Sequence, residues 1–580
     1  MLEKYLKNDG GLLNLLDRLK LHISSKRKQQ LFLLFLLMVS LSFAEAISLA
    51  SIIPFIGVFL NPDIFYSNQW LNLFVNFFEI KNSDELFLFV TLIFIFLILL
   101  SAFIKLMFVY LSNKITALTE ADLKVKIFDY NIKQSFGYHL EQNSNIVMSN
   151  LVQKTQAIAL FINGFIHILG SFMVILFVLS MLILIKPMVI ISITLIIITF
   201  FIFIALINKK KIIKNSEKIS RNQDTIINIF QDSVGYIGEI IVYQLHNIFT
   251  SKFNKSSYEI ADSMIYNKNI QESPRIYLEY ISLICFAILI LFFNQVESEV
   301  TDSLTILAAL GLGAQKILPL INRVHSSLAS MRANQVLIKD ALGLLEKSEI
   351  KKAEDLKSKK ISLEKSIILK NIYFSYNNNK NWLLQNINLE INKGNKVGIK
   401  GTTGSGKSTL GNIIIGLLEP SQGQLIVDNQ KINNQNIRAW QENISVIPQN
   451  IFLNDVTIAE NIAIGIEPNK INLEKVKNAA KQAHIHDFVD SIPKKYNEKV
   501  GERGVRLSGG QRQRIGIARA LYRNAKVILF DEATNQLDTE TESRIMHSIN
   551  NLNKEITIIF IAHRLSTLES CDQIIDLSKI

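Results

Sequence analysis

"NKVGIKGTTGSGKSTLGNIIIGLL", residues 395–418, runs from a strand-like stretch into a helical one through a segment of Gly, Ser, Thr and one Lys. That segment, "GTTGSGKST" at 401–409, matches the phosphate-binding loop pattern in full, with the strand before it and the helix after it that the pattern requires. Gly401, Gly404 and Gly406 let backbone N–H groups close around phosphate oxygens, and Thr402, Thr403, Ser405 and Thr409 complete the loop. Lys407 reaches the β- and γ-phosphates, and Ser408 is placed to ligate Mg²⁺. The C-terminal part is therefore expected to be an α/β nucleotide-binding domain that takes ATP and Mg²⁺.

Two further motifs lie downstream. "VILFDEAT", 527–534, is a buried-strand run ending in two carboxylates. Asp531 can hold Mg²⁺, and Glu532 can polarise an attacking water as a general base. "LSGGQ", 507–511, opens the amphipathic run "RQRIGIARAL". Ser508, Gly509, Gly510 and Gln511 thus form a second anion cradle at a helix N-terminus.

The rest of the chain is different in kind. Of 580 residues 49% are hydrophobic, the mean hydropathy is +0.25, and the long apolar runs lie within 29–325. Six stretches reach the roughly 20 apolar residues of a spanning helix: about 31–60, 86–112, 158–185, 188–207, 275–294 and 303–322. Lys and Arg crowd the segment before the first span and the second and fourth connections, as at Lys124, Lys126 and Lys209–Lys211. The first, third and fifth connections are poor in them, and "NQVESEVTDS" is acidic. Both termini are therefore expected in the cytoplasm. The net charge of +12 follows from those loops, and no nucleic-acid partner is needed to explain it. The opening "MLEKYLKNDGGLLNLLDRLK" is amphipathic and charged, unlike a signal peptide. Two cysteines, Cys285 and Cys571, fall in different domains and suggest no disulfide framework.

P-loop, "LSGGQ" and "DE", in that order, resemble the ATP-binding cassette (ABC) superfamily, and six spans before one cassette resemble its exporter-type half-transporters. The resemblance implies an all-α six-helix transmembrane domain of ABC exporter type followed by an α/β P-loop nucleotide-binding domain. It implies an N-terminal segment at 1–28, the transmembrane domain at 29–345, a linker at 346–365 and the cassette at 366–580. It also implies roles: Tyr376 in "FSYNN" stacks on adenine, Gln449 in "VIPQN" contacts Mg²⁺ and the membrane domain, and His563 in "IAHRLST" contacts the γ-phosphate. Asp538 keeps the D-loop acid, while Asn535 and Gln536 depart from the usual Ser-Ala. Each ATP would lie between the P-loop of one cassette and the signature of another, which implies a homodimer. Coupling helices would lie around 128–138 and 240–252.

For the cargo, three cations stand in or near apolar segments: Lys105 in "LLSAFIKLMFVYL", Arg275 and Lys316. A Lys at the centre of a spanning helix costs about 2.5–3.5 kcal/mol on insertion scales. Snorkelling to the interface is the ordinary explanation and suits Arg275. Three cations without an equal set of acids favour an anionic cargo, and Glu45 is the acid placed to pair with one of them. "QWLNLFVNFFEI", 69–80, has the spacing of a helix lying along the outer interface. "FAEAISLASIIPFI", "SPRIYLEYI" and "QKILPLINRV" resemble the PglK-type flippases of lipid-linked oligosaccharides, which implies a polyprenyl-pyrophosphate glycan as cargo and a bacterial inner membrane. A lipid A or phospholipid flippase and a peptide or drug exporter remain open. Six spans disfavour a non-transporting cassette ATPase, and the fusion of spans and cassette disfavours an importer subunit.

Overall fold

The computed structural model describes residues 11–60, 82–141, 150–185, 187–296, 300–352, 361–376, 381–532, 539–550, 555–562 and 568–578. The chain divides into two compact units, Met1–Lys133 with Gln142–Ile350, and Gln134–Glu141 with Lys351–Ile580. The stretch 69–80 lies outside the described residues.

The first unit is helical. Its elements are α1 (Leu12–His22), α2 (Ser25–Ala50), α3 (Ile52–Leu60) and α4 (Ser83–Ile132), then α6 (Thr155–Ile185), α7 (Pro187–Gly235), α8 (Ile237–Val242), α9 (His246–Val296), α10 (Val300–Ala333) and α11 (Gln335–Lys352). One short helix, α5 (Phe136–Glu141), belongs to the second unit. By length and composition, three described segments are apolar enough to cross a membrane: Ser25–Phe59, Ser83–Ile132 and Leu151–Leu184. The other three expected spans lie within α7, α9 and α10.

Along α4 the large residues Leu88, Leu92, Phe96, Leu99, Phe103, Leu106 and Tyr110 are each 57–70% exposed. They recur every three or four residues, so they form one stripe, and a stripe this large and apolar suits contact with lipid or another apolar helix. The first expected span is not one helix. It breaks at Ser51, because Pro54 has no N–H to give the Ala50 carbonyl. Near both stretches expected to hold coupling helices the chain forms a short helix. Helix α4 stays regular to Ile132, so the short helix after it is α5. The second is α8, and Gln244, with a left-handed backbone at φ 56°, stands in the turn after it.

Helix α1 buries Leu15 and Leu19 in a cluster with Ile338, Ala341, Leu342 and Leu345 of α11. Beside that cluster Arg18 grips Glu346 with two parallel bonds, Nε to Oε1 at 2.7 Å and Nη2 to Oε2 at 3.1 Å. Lys154 reaches Asp340 of the same helix at 3.3 Å.

The second unit is α/β. One antiparallel sheet has the order β2-β1-β4-β5, from Leu384–Asn392, Ser366–Phe374, Gln422–Val427 and Gln430–Lys431. A parallel sheet has the order β6-β7-β8-β3-β9, from Ile444–Ile447, Val527–Asp531, Thr557–Ile561, Lys396–Lys400 and Gln573–Asp576. Its inner strands read as unbroken apolar runs because both faces are covered. Helix α12 (Lys407–Ile414) lays Leu410, Ile413 and Ile414 into a core with Val397, Ile399, Leu529 and Ile559. Phe136 of α5 packs against that same core.

Side chains of Arg18 and Glu346 are only 10% and 13% exposed, so removing one partner strands a charge. Arg18→Met or Glu346→Leu alone is expected to cost about 3 kcal/mol, and the double replacement to regain most of it. Thermal unfolding of the detergent-solubilised chain measures this. Equal melting of all four proteins would show that the pair is dispensable.

Candidate functional site

All five strands of the parallel sheet point the same way, so the segments that follow β3, β6 and β7 emerge at one edge. The P-loop follows β3, Gln449 follows β6, and Asp531 with Glu532 ends β7. Gly404 and Gly406 adopt φ of 84° and 87°, a left-handed backbone that only glycine holds without strain. At Gly406 a Cβ would also stand 2.8 Å from Leu384.

Lys407 Nζ donates to the Gly401 and Thr402 carbonyls at 3.0 and 2.9 Å, curling over the loop it follows. The Ser405 hydroxyl oxygen is buried and has no hydrogen-bond partner among the described residues. An anion seated in the loop suits both groups. The Tyr376 and Thr409 hydroxyls share a hydrogen bond of 2.9 Å, and the half-exposed Tyr376 ring meets Phe374 edge to face. This leaves a Tyr376 surface beside the P-loop helix on which a planar base can stack.

The Ser408 hydroxyl donates to Asp531 Oδ1 at 3.0 Å. Two hard oxygen ligands set side by side suit Mg²⁺, which takes few protein ligands and completes its shell with phosphates and water. Glu532 has a left-handed backbone, φ 49°, right after a buried strand, and its N–H donates to the Ile561 carbonyl of β8. Strain of this sort costs of order 1–3 kcal/mol and persists where neighbours enforce it. Gln449 Nε2 donates to Glu532 Oε2 at 2.9 Å, so the two residues named from the sequence do meet. His563, Asp538, Asn535 and Gln536 lie outside the described residues.

Ser508 caps α13 (Gly509–Tyr522) in a reciprocal box. Its hydroxyl accepts from the Gln511 N–H at 3.2 Å, and its own N–H donates to Gln511 Oε1 at 2.8 Å. The exposed Ser508 and the amides of Gly509 and Gly510 thus stand at the positive end of a 14-residue helix.

Within the helical unit the expectation of unmatched cations is corrected. Lys105 of α4 donates to Glu45 Oε1 at 3.0 Å, and Lys316 of α10 donates to Glu45 Oε2 at 2.8 Å. Lys316 also reaches the Ser48 hydroxyl at 2.7 Å and the Glu45 carbonyl at 3.3 Å. One carboxylate on α2 therefore joins three helices. Arg275 instead pairs with Glu279, one turn along its own helix, on an exposed face. The sequence offered one hint of the double pairing: an acid in an apolar run is as costly as a lysine there. Which lysines it met depended on helix packing.

Residues 384–535 match the family model described as ABC transporter. A stretch of 209 residues is 41% identical to an ATP-dependent lipid A-core flippase of Idiomarina loihiensis, covering 36% of this chain and 36% of that protein. Over 217 residues the chain is 43% identical to the leukotoxin translocation ATP-binding protein LktB of Mannheimia glucosida, covering 37% and 30%. The chain thus spans about a third of the length of the curated relatives it matches. A bacterial Atm1-family ABC exporter solved with ATP bound superposes with a TM-score of 0.76 at 22% identity, over 95% of this chain and 94% of that one. The site and sheet define a P-loop ATPase domain carried behind a helical membrane-type unit. That domain is an ABC transporter ATPase domain, and the fold of the chain is that of an ABC exporter.

Burial raises the pKa of Asp531; the Ser408 hydrogen bond opposes this, the Glu532 charge adds to it, and the Lys407 ammonium opposes it. The folded state therefore holds the Asp531 proton more tightly than the unfolded state does. Stability falls as pH rises from the ordinary carboxylate range through the raised value, and the deficit persists at neutral pH. Nucleotide-free Asp531→Asn is expected to melt above wild type at pH 7.5, with the gap closing near pH 4. MgATP should stabilise wild type and not the variant. A constant gap across pH would remove the buried-charge explanation.

Proposed function

We propose that the chain is one half of an ATP-driven exporter that moves an anionic lipid across a bacterial inner membrane as a homodimer. The observation that carries the cargo reading is the Lys105–Glu45–Lys316 cluster: two ammonium groups share one carboxylate among membrane-type helices. That leaves one net positive charge, which water or an anion must satisfy. Relatives named as lipid A-core flippases stand beside leukotoxin exporters at similar identity, so they support a lipid cargo without setting it above a peptide. They also favour a lipid A-like molecule over the polyprenyl-pyrophosphate glycan, a reading that rests on short stretches of sequence.

In the ATPase step Lys407 and the loop amides hold the nucleotide phosphates, and Tyr376 receives the base. Ser408 and Asp531 would hold Mg²⁺, which neutralises phosphate charge when bound. Glu532, held by Gln449, takes a proton from the attacking water, and His563 contacts the γ-phosphate. Asp538 acts from the D-loop. Ser508, Gly509, Gly510 and Gln511 of a second copy close over the nucleotide, since they form an exposed helix terminus with anion-seeking amides. The exposed apolar residues Ile237, Ile241, Val242 and Tyr243 at α8 provide a contact for that second copy. Closure would pass to the membrane helices through α5 and α8 and switch the side to which the cargo space opens.

Glu532→Gln is expected to lower ATP turnover by at least ~100-fold, the usual range for loss of a general base, while ATP binding persists. Near-normal turnover would remove Glu532 from that role. In mixed dimers Ser508→Arg in one copy should silence one of the two sites. Full activity from a monomer, shown by light scattering beside the ATPase assay, would contradict the shared-site reading. Proteoliposome flipping of lipid A against a polyprenyl-pyrophosphate oligosaccharide decides the cargo, with lipid A expected to move faster.

A further inference from the structure

The three charges at the membrane cluster are not equivalent. Glu45 is nearly buried, with a side chain 9% exposed, whereas Lys105 is 51% exposed and Lys316 32%. Lys316 makes three contacts, to Glu45 Oε2, the Glu45 carbonyl and the Ser48 hydroxyl. Its contacts fix α10 to both the side chain and the backbone of α2. Lys105 makes a single hydrogen bond, to Glu45 Oε1. It has the most open side chain of the three and donors left to give. An ammonium held by one carboxylate oxygen can exchange that oxygen for another anion at little geometric cost, since it acts as a point charge without fixed fork geometry. Leu49 and Ile317, near Glu45 and Lys316 in sequence, belong to one buried apolar cluster, and of the two lysines Lys105 is the more exposed.

We propose that Glu45 is a resident counter-ion, and that an anionic lipid headgroup displaces it from Lys105 while Lys316 keeps it in place. Lys105 is then the residue that selects for negative charge, Glu45 is the positioning residue that sets how tightly it does so, and Lys316 is structural. The inference rests on the anionic-lipid reading and adds a division of labour that the reading does not contain. Without cargo, the carboxylate satisfies Lys105. With cargo, a phosphate oxygen takes the Lys105 donor, and Glu45 falls back on Lys316. The internal competitor keeps binding weak enough for release.

The test uses the full chain in nanodiscs of phosphatidylcholine with rising fractions of phosphatidylglycerol, reading ATPase stimulation and melting temperature. In wild type the anionic lipid should stimulate more than the zwitterionic one, and soluble glycerol phosphate should not, which separates a lipid from a free phosphate. Glu45→Gln removes the competitor, so half-maximal stimulation should need several-fold less phosphatidylglycerol, and Glu45→Asp should restore the wild-type value. Lys105→Gln should erase the distinction between the two lipids without lowering the melting temperature. Lys316→Gln should lower the melting temperature and keep the distinction. If wild type does not distinguish the lipids, the anionic-lipid reading fails, and this inference with it. If wild type distinguishes them but Glu45→Gln leaves the midpoint unmoved or raises it, the displacement idea alone is overturned. Should Glu45→Gln not fold, Lys105→Gln decides: a retained distinction overturns the proposal, and a lost one supports it.

Discussion

Five strands that run one way leave every strand-ending segment on the same edge, and the cassette's chemistry depends on that constraint. Gly401 and Glu532 are far apart in the chain, yet both follow strands of one sheet whose order places β8 between them. No side-chain interaction has to bring them together; the crossover connections do it. Helix α12 packs on the sheet through Leu410, Ile413 and Ile414, and this holds the N-terminal turn, with Lys407 and Ser408, over the strand ends. The Ser408–Asp531 and Gln449–Glu532 bonds are then short links between neighbours on that edge. The strained backbone at Glu532 is tolerated because its N–H is fixed to Ile561 on the adjacent strand.

The helical unit follows a different constraint. Its backbone satisfies its own hydrogen bonds, so side chains are free to face an apolar surrounding, as the exposed stripe on α4 does. The cost moves to the few charges that the helices carry inward. Lys316 makes three contacts to α2 and Lys105 one, so Glu45 ties α2 firmly to α10 and lightly to α4. Arg275 settles the same problem locally, with Glu279 one turn away. A pairing within one helix leaves that helix free to move, whereas a pairing across three helices resists their separation.

What was legible in the sequence was local. The P-loop, the capped signature helix and the acidic strand end are each recognised by residues within about a dozen positions of one another, although the acidic strand end bonds to Ser408 and Gln449, 123 and 83 residues away. Ser508 and Gln511, three apart, show the local case most simply. Apolar run length gave the long helices, but not the break at Ser51, where Pro54 acts on a carbonyl four residues earlier. The pairing of Glu45 with both lysines was out of reach, since they stand 60 and 271 residues further along the chain. Only the packing of three helices decides it. Likewise nothing in "LLDRLK" or "LLEKSE" announces that Arg18 and Glu346 meet.

That last contact sets an order on biosynthesis. Arg18 leaves the ribosome 328 residues before the carboxylate it grips. At about 5–20 residues per second the interval is roughly 15–65 s. Through that time α1 has neither Glu346 nor the apolar face of α11, and Leu15 and Leu19 have only the earlier-made members of their cluster, such as Leu34, Leu123 and Ile158. Helix α1 thus completes its seat only after α11 has been synthesised.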